Sequence, residues 1–195
     1  MKDDDLIWEE ISTEHIVQDE WIDFRRSAYR FPDGTVWQPY YSFTRRDYAV
    51  VVASDTEGRF ICVHQFRQGI RQVTTEFPAG AIEKKDGEDP QAAALRGAQR
   101  ELLEETGYVS DQWRPLLVIP SNATISDNIA YLFAAENCRK VSGQQLDAME
   151  LLRVGTYTAE EIDTMLADGR FQQSVHALAW LLFRGDSGKP QERKP

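Results

Sequence analysis

The stretch Arg100-Glu101-Leu102-Leu103-Glu104-Glu105-Thr106-Gly107-Tyr108, behind the turn Glu76-Phe77-Pro78-Ala79-Gly80 and a charged loop, decides the fold. Asp89 is a good N-cap, Pro90 suits the first helical position and Gly107 is a natural stop, which together predict a helix over Pro90–Thr106. At about 100° per residue, Leu95, Leu102 and Leu103 form an apolar stripe, Glu101 and Glu105 sit together beside it, and Glu104 lies farther round. Like charges at i, i+4 repel by about 0.2–0.5 kcal/mol on an exposed helix, and by more where water is scarce. The last turn is also the unfavourable end of the helix dipole for carboxylates. A divalent cation would relieve both costs. Carboxylate oxygens are hard ligands that select Mg²⁺ or Mn²⁺ over zinc, and no Cys/His ligand set competes. For the glutamates alone, the plain alternative is a solvated acidic face.

Outward from this helix the chain reads as α+β. Pro32-Asp33-Gly34 is a turn signal, so Trp21–Phe31 and Thr35–Phe43 are predicted arms of a hairpin. Apolar runs at Tyr48–Ala53 and Phe60–Phe66, joined by Asp55-Thr56-Glu57-Gly58, predict a second one. Further strands are expected at Trp113–Ile119, Asn128–Ala134 and Glu150–Tyr157, and helices at Ala159–Asp168 and Gln172–Arg184. Strands and helices without regular βαβ alternation predict a mixed sheet between helical layers. Gly185 to Pro195 is expected to form a loose tail.

Composition narrows the function classes. The 195 residues are 42% hydrophobic and 28% charged, the balance of a globular chain about one domain long with room for a small extra element. The net charge of −10 argues against nonspecific binding to a nucleic acid backbone. It also means that an anionic substrate would need a cation between itself and the protein. No apolar run reaches the length of a membrane span, and Met1-Lys2-Asp3-Asp4-Asp5 does not open like a signal peptide. Cys62 and Cys138 lie in apolar contexts, so two buried thiols in a reducing cytoplasm are expected.

Arg-Glu-Leu-x-Glu-Glu-x-Gly-Tyr after a Pro-Ala-Gly turn resembles the Nudix box of the Nudix hydrolases, enzymes that cleave a nucleoside diphosphate linked to another moiety. The family pattern runs Gly, five residues, Glu, seven residues, then Arg-Glu-aliphatic-x-Glu-Glu-x-Gly-aliphatic. The second half matches, allowing Tyr108 for the last aliphatic, but seven residues separate Gly80 from Glu88 and eleven separate Glu88 from Arg100. This reads as two extra loop residues and one additional helical turn, since four residues keep a side chain within about 40° of the same face. Whether Arg96 or Arg100 ties the loop to the helix stays open.

The resemblance covers roughly residues 20–184 and implies a Nudix α/β/α sandwich with a mixed sheet over 45–184. It also implies an N-terminal antiparallel β region over 1–44 that serves dimerisation and base contact. Gln65-Phe66-Arg67 followed by Glu76-Phe77-Pro78-Ala79-Gly80 is similar to the ADP-ribose pyrophosphatase branch. By that likeness Arg67 contacts substrate, which suits a planar bidentate donor facing a diphosphate. The Ala79 carbonyl, Glu101 and Glu105 would hold Mg²⁺ or Mn²⁺, with Glu104 as a further ligand and catalytic group. Glu150, ahead of Asp147 in the same loop, would orient or deprotonate the attacking water. Trp37, with Gln38 beside it, would meet the base. His15, His64 and His176 show no ligand spacing and are expected to be structural. The implied protein is a homodimer that hydrolyses a nucleoside-diphosphate sugar, ADP-ribose first, with no nucleic acid or membrane partner. GDP-mannose or a UDP-sugar is the nearest alternative substrate. A noncatalytic nucleotide-sugar sensor is the alternative of another class, and a generic Ca²⁺-binding protein is disfavoured because no EF-hand loop is present.

Overall fold

The computed structural model describes residues 3–186. The chain divides into two compact units: residues up to Arg46 with Pro120–Ile129, and Asp47–Ile119 with Ala130 onward. In the first, β1 (Glu9–Gln18), β2 (Asp23–Arg30) and β3 (Val36–Thr44) form an antiparallel sheet in that order. The predicted hairpin is β2–β3, and its turn is closed by the Thr35 N–H donating to Asp33 Oδ1 at 2.8 Å. β1 carries no clean alternation because its register shifts twice, between Glu10 and Ser12 and between His15 and Val17. Ile11, Ile16, Val17, Trp21, Val36 and Trp37 of this unit are all exposed.

The second unit is built on eight strands. β4 (Tyr48–Asp55) and β5 (Phe60–Arg67) form the second predicted hairpin, followed by β6 (Gln72–Glu76) and β7 (Ala79–Ala81). Helix α1 (Pro90–Thr106) leads to β8 (Tyr108–Val109), β9 (Gln112–Pro120), β10 (Ile129–Lys140) and β11 (Leu152–Tyr157). Helices α2 (Ala159–Ala167) and α3 (Ser174–Asp186) complete it. The order is β11-β5-β4-β10-β8, with β6 on β5, β7 on β4 and β9 on β10. The β4–β10 pair is parallel and β4–β5 antiparallel, so the sheet is mixed as expected. Of the expected tail, Gly185 and Asp186 close α3, and the remainder lies outside the described residues.

β4 is buried along its length because both sheet faces are covered. Val50 and Val52 pack with Phe60, Phe77, Leu132, Ile162, Trp180 and Phe183, the side of α2 and α3. Ala49, Val51 and Ala53 point by alternation to the opposite face, and α1 packs on β4 and β7. Cys62 and Cys138 are buried and free, and burial pushes the Cys138 thiol up to about 12. Among the described residues no helix is long and apolar enough to cross a membrane.

Candidate active site

Asp89 caps α1 by accepting the Ala92 N–H at 2.8 Å, and Gly107 ends it in the left-handed region at φ 76°. The buried face differs from the leucine stripe expected from spacing. It comprises Ala93, Ala94, Gly97, Ala98, Glu101, Leu102, Glu105 and Thr106, whereas Leu95 and Leu103 are only half-buried. Small side chains bring the helix close to the sheet, and two carboxylates are carried down with them. Glu105 Oε2 accepts the Ala79 N–H at 3.0 Å. The Glu101 carboxyl lies against Gly80, where a Cβ would come within 2.0 Å of it. A side chain there would have to push the Glu101 carboxyl aside.

Arg100 gathers the surrounding acids. Nη1 donates to Glu101 Oε1 at 2.7 Å and to Glu104 Oε2 at 2.9 Å. Nη2 donates to the Ala81 carbonyl at 2.8 Å and to Asp86 Oδ2 at 3.2 Å. Asp86, itself buried, also accepts from Arg100 Nε at 3.3 Å, and Arg96 Nε donates to its carbonyl oxygen. Both arginines therefore tie the loop, Arg100 to the Asp86 carboxylate and Arg96 to its backbone. Burial opposes the charge on Arg100, but these acids together raise its pKa.

Burial dominates the carboxylates. It pushes Glu101 up to about 7, with Arg100 pulling the other way and Glu104 and Glu150 adding repulsion. Glu105 is pushed well above the ordinary carboxylate range by burial, opposed by the Ala79 hydrogen bond and reinforced by Glu101 and Glu150. Glu150 is thus close enough to act on both. Its loop is pinned to the end of α1: the Gln144 side chain donates to the Glu105 carbonyl at 2.8 Å, and the Gln145 N–H to the Glu104 carbonyl at 2.8 Å. Met149 and Leu151, on either side of Glu150, are 93% and 90% exposed.

Arg67, at the end of β5, also acts on Glu105 through its charge. Its Nε donates to Glu76 Oε1 at 2.8 Å and Oε2 at 3.1 Å, and its Nη2 to Oε2. The side-on edge of the guanidinium is therefore engaged within the protein. The set around α1 now comprises a buried glutamate pair, a third acid in an adjoining loop and an arginine at the rim. Among the described residues, no three His, Cys, Asp or Glu side chains are grouped to hold a metal ion, and Glu101 and Glu104 both pair with Arg100 Nη1.

The NUDIX domain profile matches residues 44–181. The chain belongs to the Nudix family. It is 32% identical over 130 residues to the methanol dehydrogenase activator of Bacillus methanolicus, covering 66% of this chain and 67% of that protein. It is 35% identical over 112 residues to the ADP-ribose pyrophosphatase of Bacillus subtilis (strain 168), covering 57% of each. A solved ADP compounds hydrolase superposes with a TM-score of 0.77 over 94% of this chain and 97% of its own, at 18% identity, and so shares the fold.

Within this Nudix chain, Glu101, Glu104, Glu105, Arg67 and the Glu150 loop come together in the second unit, with Ala79 beside Glu105. Trp37 and Gln38 lie on β3 of the first unit, Trp37 56% exposed. Glu88, read from the sequence as the acid of the box, is exposed, and the loop acids that meet Arg100 are Asp86 and Glu83. Five residues separate Gly80 from Asp86, the family's own spacing, so the extra residues lie between this acid and Arg100 and not before it. Two groups escaped the sequence reading altogether, buried Asp86 and the Gln144 amide, while His176, expected to be structural, is buried and its ring is pushed down to about 4 by that burial. A single amide has no periodic signal to mark it, whereas the five-residue spacing from Gly80 could have found Asp86.

Proposed function

We propose that this Nudix hydrolase cleaves the diphosphate of a nucleoside-diphosphate sugar, ADP-ribose before others, to AMP and ribose 5-phosphate. The observation that carries the reading is the buried pair Glu101–Glu105, held against Ala79 and Gly80 at a cost in desolvation that no packing need explains. Its hard oxygen donors, and the Cβ-free ground beside Glu101, fit a divalent cation. Glu101, Glu105 and the Ala79 carbonyl would hold it, with Glu104 next to them. When bound, Mg²⁺ or Mn²⁺ supplies positive charge to the diphosphate and to the leaving phosphate. Arg67 contacts the diphosphate, and Glu150 orients the attacking water and takes its proton. Trp37, exposed on β3, stacks on the base. The exposed Ile11, Ile16, Val17 and Trp21 support a homodimer through the first unit.

Gly80→Ala tests the cation directly. The new Cβ displaces the end of a flexible glutamate and leaves the backbone in place, so the fold persists. Mn²⁺ affinity by calorimetry is expected to fall about 10- to 100-fold, the scale of losing support around a ligand. Unchanged affinity would remove Glu101 from the ligand set.

The substrate is tested by kcat/KM for ADP-ribose, GDP-mannose and UDP-glucose with Mg²⁺, the mass of the same preparation being read by light scattering. ADP-ribose is expected to lead, and Trp37→Ala to raise its KM by about 5- to 150-fold with little change in kcat. A tenfold advantage for either of the other two would replace the substrate and keep the reaction class. Absence of turnover on all three would favour a sensor.

A further inference from the structure

We infer that Glu76 is a positioning residue for Arg67: it grips one edge of the guanidinium over the sheet and so determines which donor meets the substrate. The inference rests on the reading that Arg67 contacts the diphosphate, and adds to it a residue that itself touches no substrate.

Glu76 is fully buried, at 0% exposure. In the β5–β6 ladder Arg67 pairs with Gln72, while Glu76 pairs with Val63, four residues back along β5. An arginine ending a strand would ordinarily extend into water, where its stem has most freedom. Here the side chain folds back along the sheet face, past the Gln65–Thr74 pair, to reach Glu76. There Nε and Nη2 are both engaged, and Nη1 remains outside that pair.

The carboxylate is itself held from three elements. Arg67 comes from β5, the Thr74 hydroxyl donates to Oε1 from β6, and Gln173 Nε2, just before α3, donates to the same oxygen at 3.3 Å. His176 of α3 is buried and interacts electrostatically with Glu76. Burial opposes the charge on Glu76, yet the Arg67 hydrogen bonds, His176 and Thr74 together keep its carboxyl below the ordinary range. A buried ion pair is a poor way to stabilise a fold, because apolar side chains of similar size commonly serve as well. A fork held against a carboxylate does provide orientation: the planar guanidinium has one angle once Nε and Nη2 are fixed. The same guanidinium acts on Glu105, which puts its charge within reach of the glutamate pair.

A kinetic double-mutant cycle tests this, with melting temperature recorded for every variant. Glu76→Gln keeps the shape of the side chain and acceptors for Thr74 and Gln173, but loses the charge that grips the fork. It is expected to raise KM for ADP-ribose about tenfold with kcat within about twofold. Arg67→Ala is expected to raise KM further, and E76Q added to it to change KM by less than about twofold, because Glu76 acts only through Arg67. Should Arg67→Ala fail to fold around its unpaired carboxylate, Arg67→Lys, which keeps the charge without the fork, replaces it in the cycle. An unchanged KM in E76Q, or a full tenfold effect of E76Q on top of the Arg67 variant, overturns the inference and leaves the proposed function standing. An unchanged KM in a folded Arg67 variant removes the diphosphate contact as well.

Discussion

Glu105→Gln is expected to lower kcat by about a thousandfold and to make the chelator-treated protein more heat-stable at neutral pH. The first effect follows from losing one of two buried oxygen donors to the cation, since charge stabilisation of this kind contributes several kcal/mol, or roughly 10²- to 10⁴-fold in rate. The second follows from burial. A carboxyl whose folded-state pKa is raised favours the protonated form, so stability present at low pH is lost as pH rises from the ordinary carboxylate value through the folded value. For Glu101 that window ends at about 7, and Glu105 is also raised, by burial and by Glu101 itself. The melting temperature of the wild-type protein in chelator should therefore fall between pH 5 and pH 8. E105Q should show a shallower slope and melt about 5 °C higher at pH 8. Added Mn²⁺ should raise the wild-type melting temperature most at high pH, where both carboxyls are ionised, and raise that of E105Q far less. Near-normal turnover of E105Q at saturating Mg²⁺ would refute the cation assignment.

Glu150→Gln is expected to cost about 10²- to 10⁴-fold in kcat, with KM for ADP-ribose within about twofold. The loop is built to survive the change. The Glu150 N–H donates to the Asp147 carbonyl at 2.9 Å, and the Asp147 N–H donates to Glu150 Oε2 at 3.0 Å, an acceptor that the amide oxygen of glutamine can replace. Gln144 and Gln145 anchor the loop independently on the Glu105 and Glu104 carbonyls. The variant thus removes a base without moving its support, and the loss belongs to the chemical step. Asp147→Asn should cost less than tenfold. The reverse ranking would transfer the role to Asp147, and full activity in both would place the base in another loop.

Much of the fold was legible because the signals are local. Asp89, Pro90 and Gly107 bound α1 at Pro90–Thr106 in sequence and in structure alike, since caps act on backbone groups within a turn of themselves. The apolar runs of β4 and β5 announced a hairpin with both faces covered, and Asp33-Gly34 announced the turn before β3. The glutamates of the Nudix box were legible by spacing for the same reason: i and i+4 share a helix face wherever the helix goes.

Tertiary structure decided what spacing leaves open, namely which partner each group meets. A helical wheel ranks the leucines first, but of the three only Leu102 is buried, and α1 buries Ala94, Gly97 and Ala98 beside it, because close approach to β4 and β7 rewards small side chains over large ones. Glu101 and Glu105 go down with that face, and there burial raises their pKa values in a way an exposed helix would not. Glu88 reads as the box acid in the sequence and is exposed, whereas Asp86, five residues after Gly80, is the buried acid that meets Arg100, a choice between two nearby carboxylates that packing made. Arg67 is expected to contact a diphosphate, and the fold also pairs it with a glutamate nine positions on that is fully buried. Periodicity and capping chemistry are properties of neighbours along the chain, so the sequence alone determined the elements and the residues that could carry chemistry. Desolvation and ion pairing depend on distances between segments far apart in sequence, and only the packed structure set those.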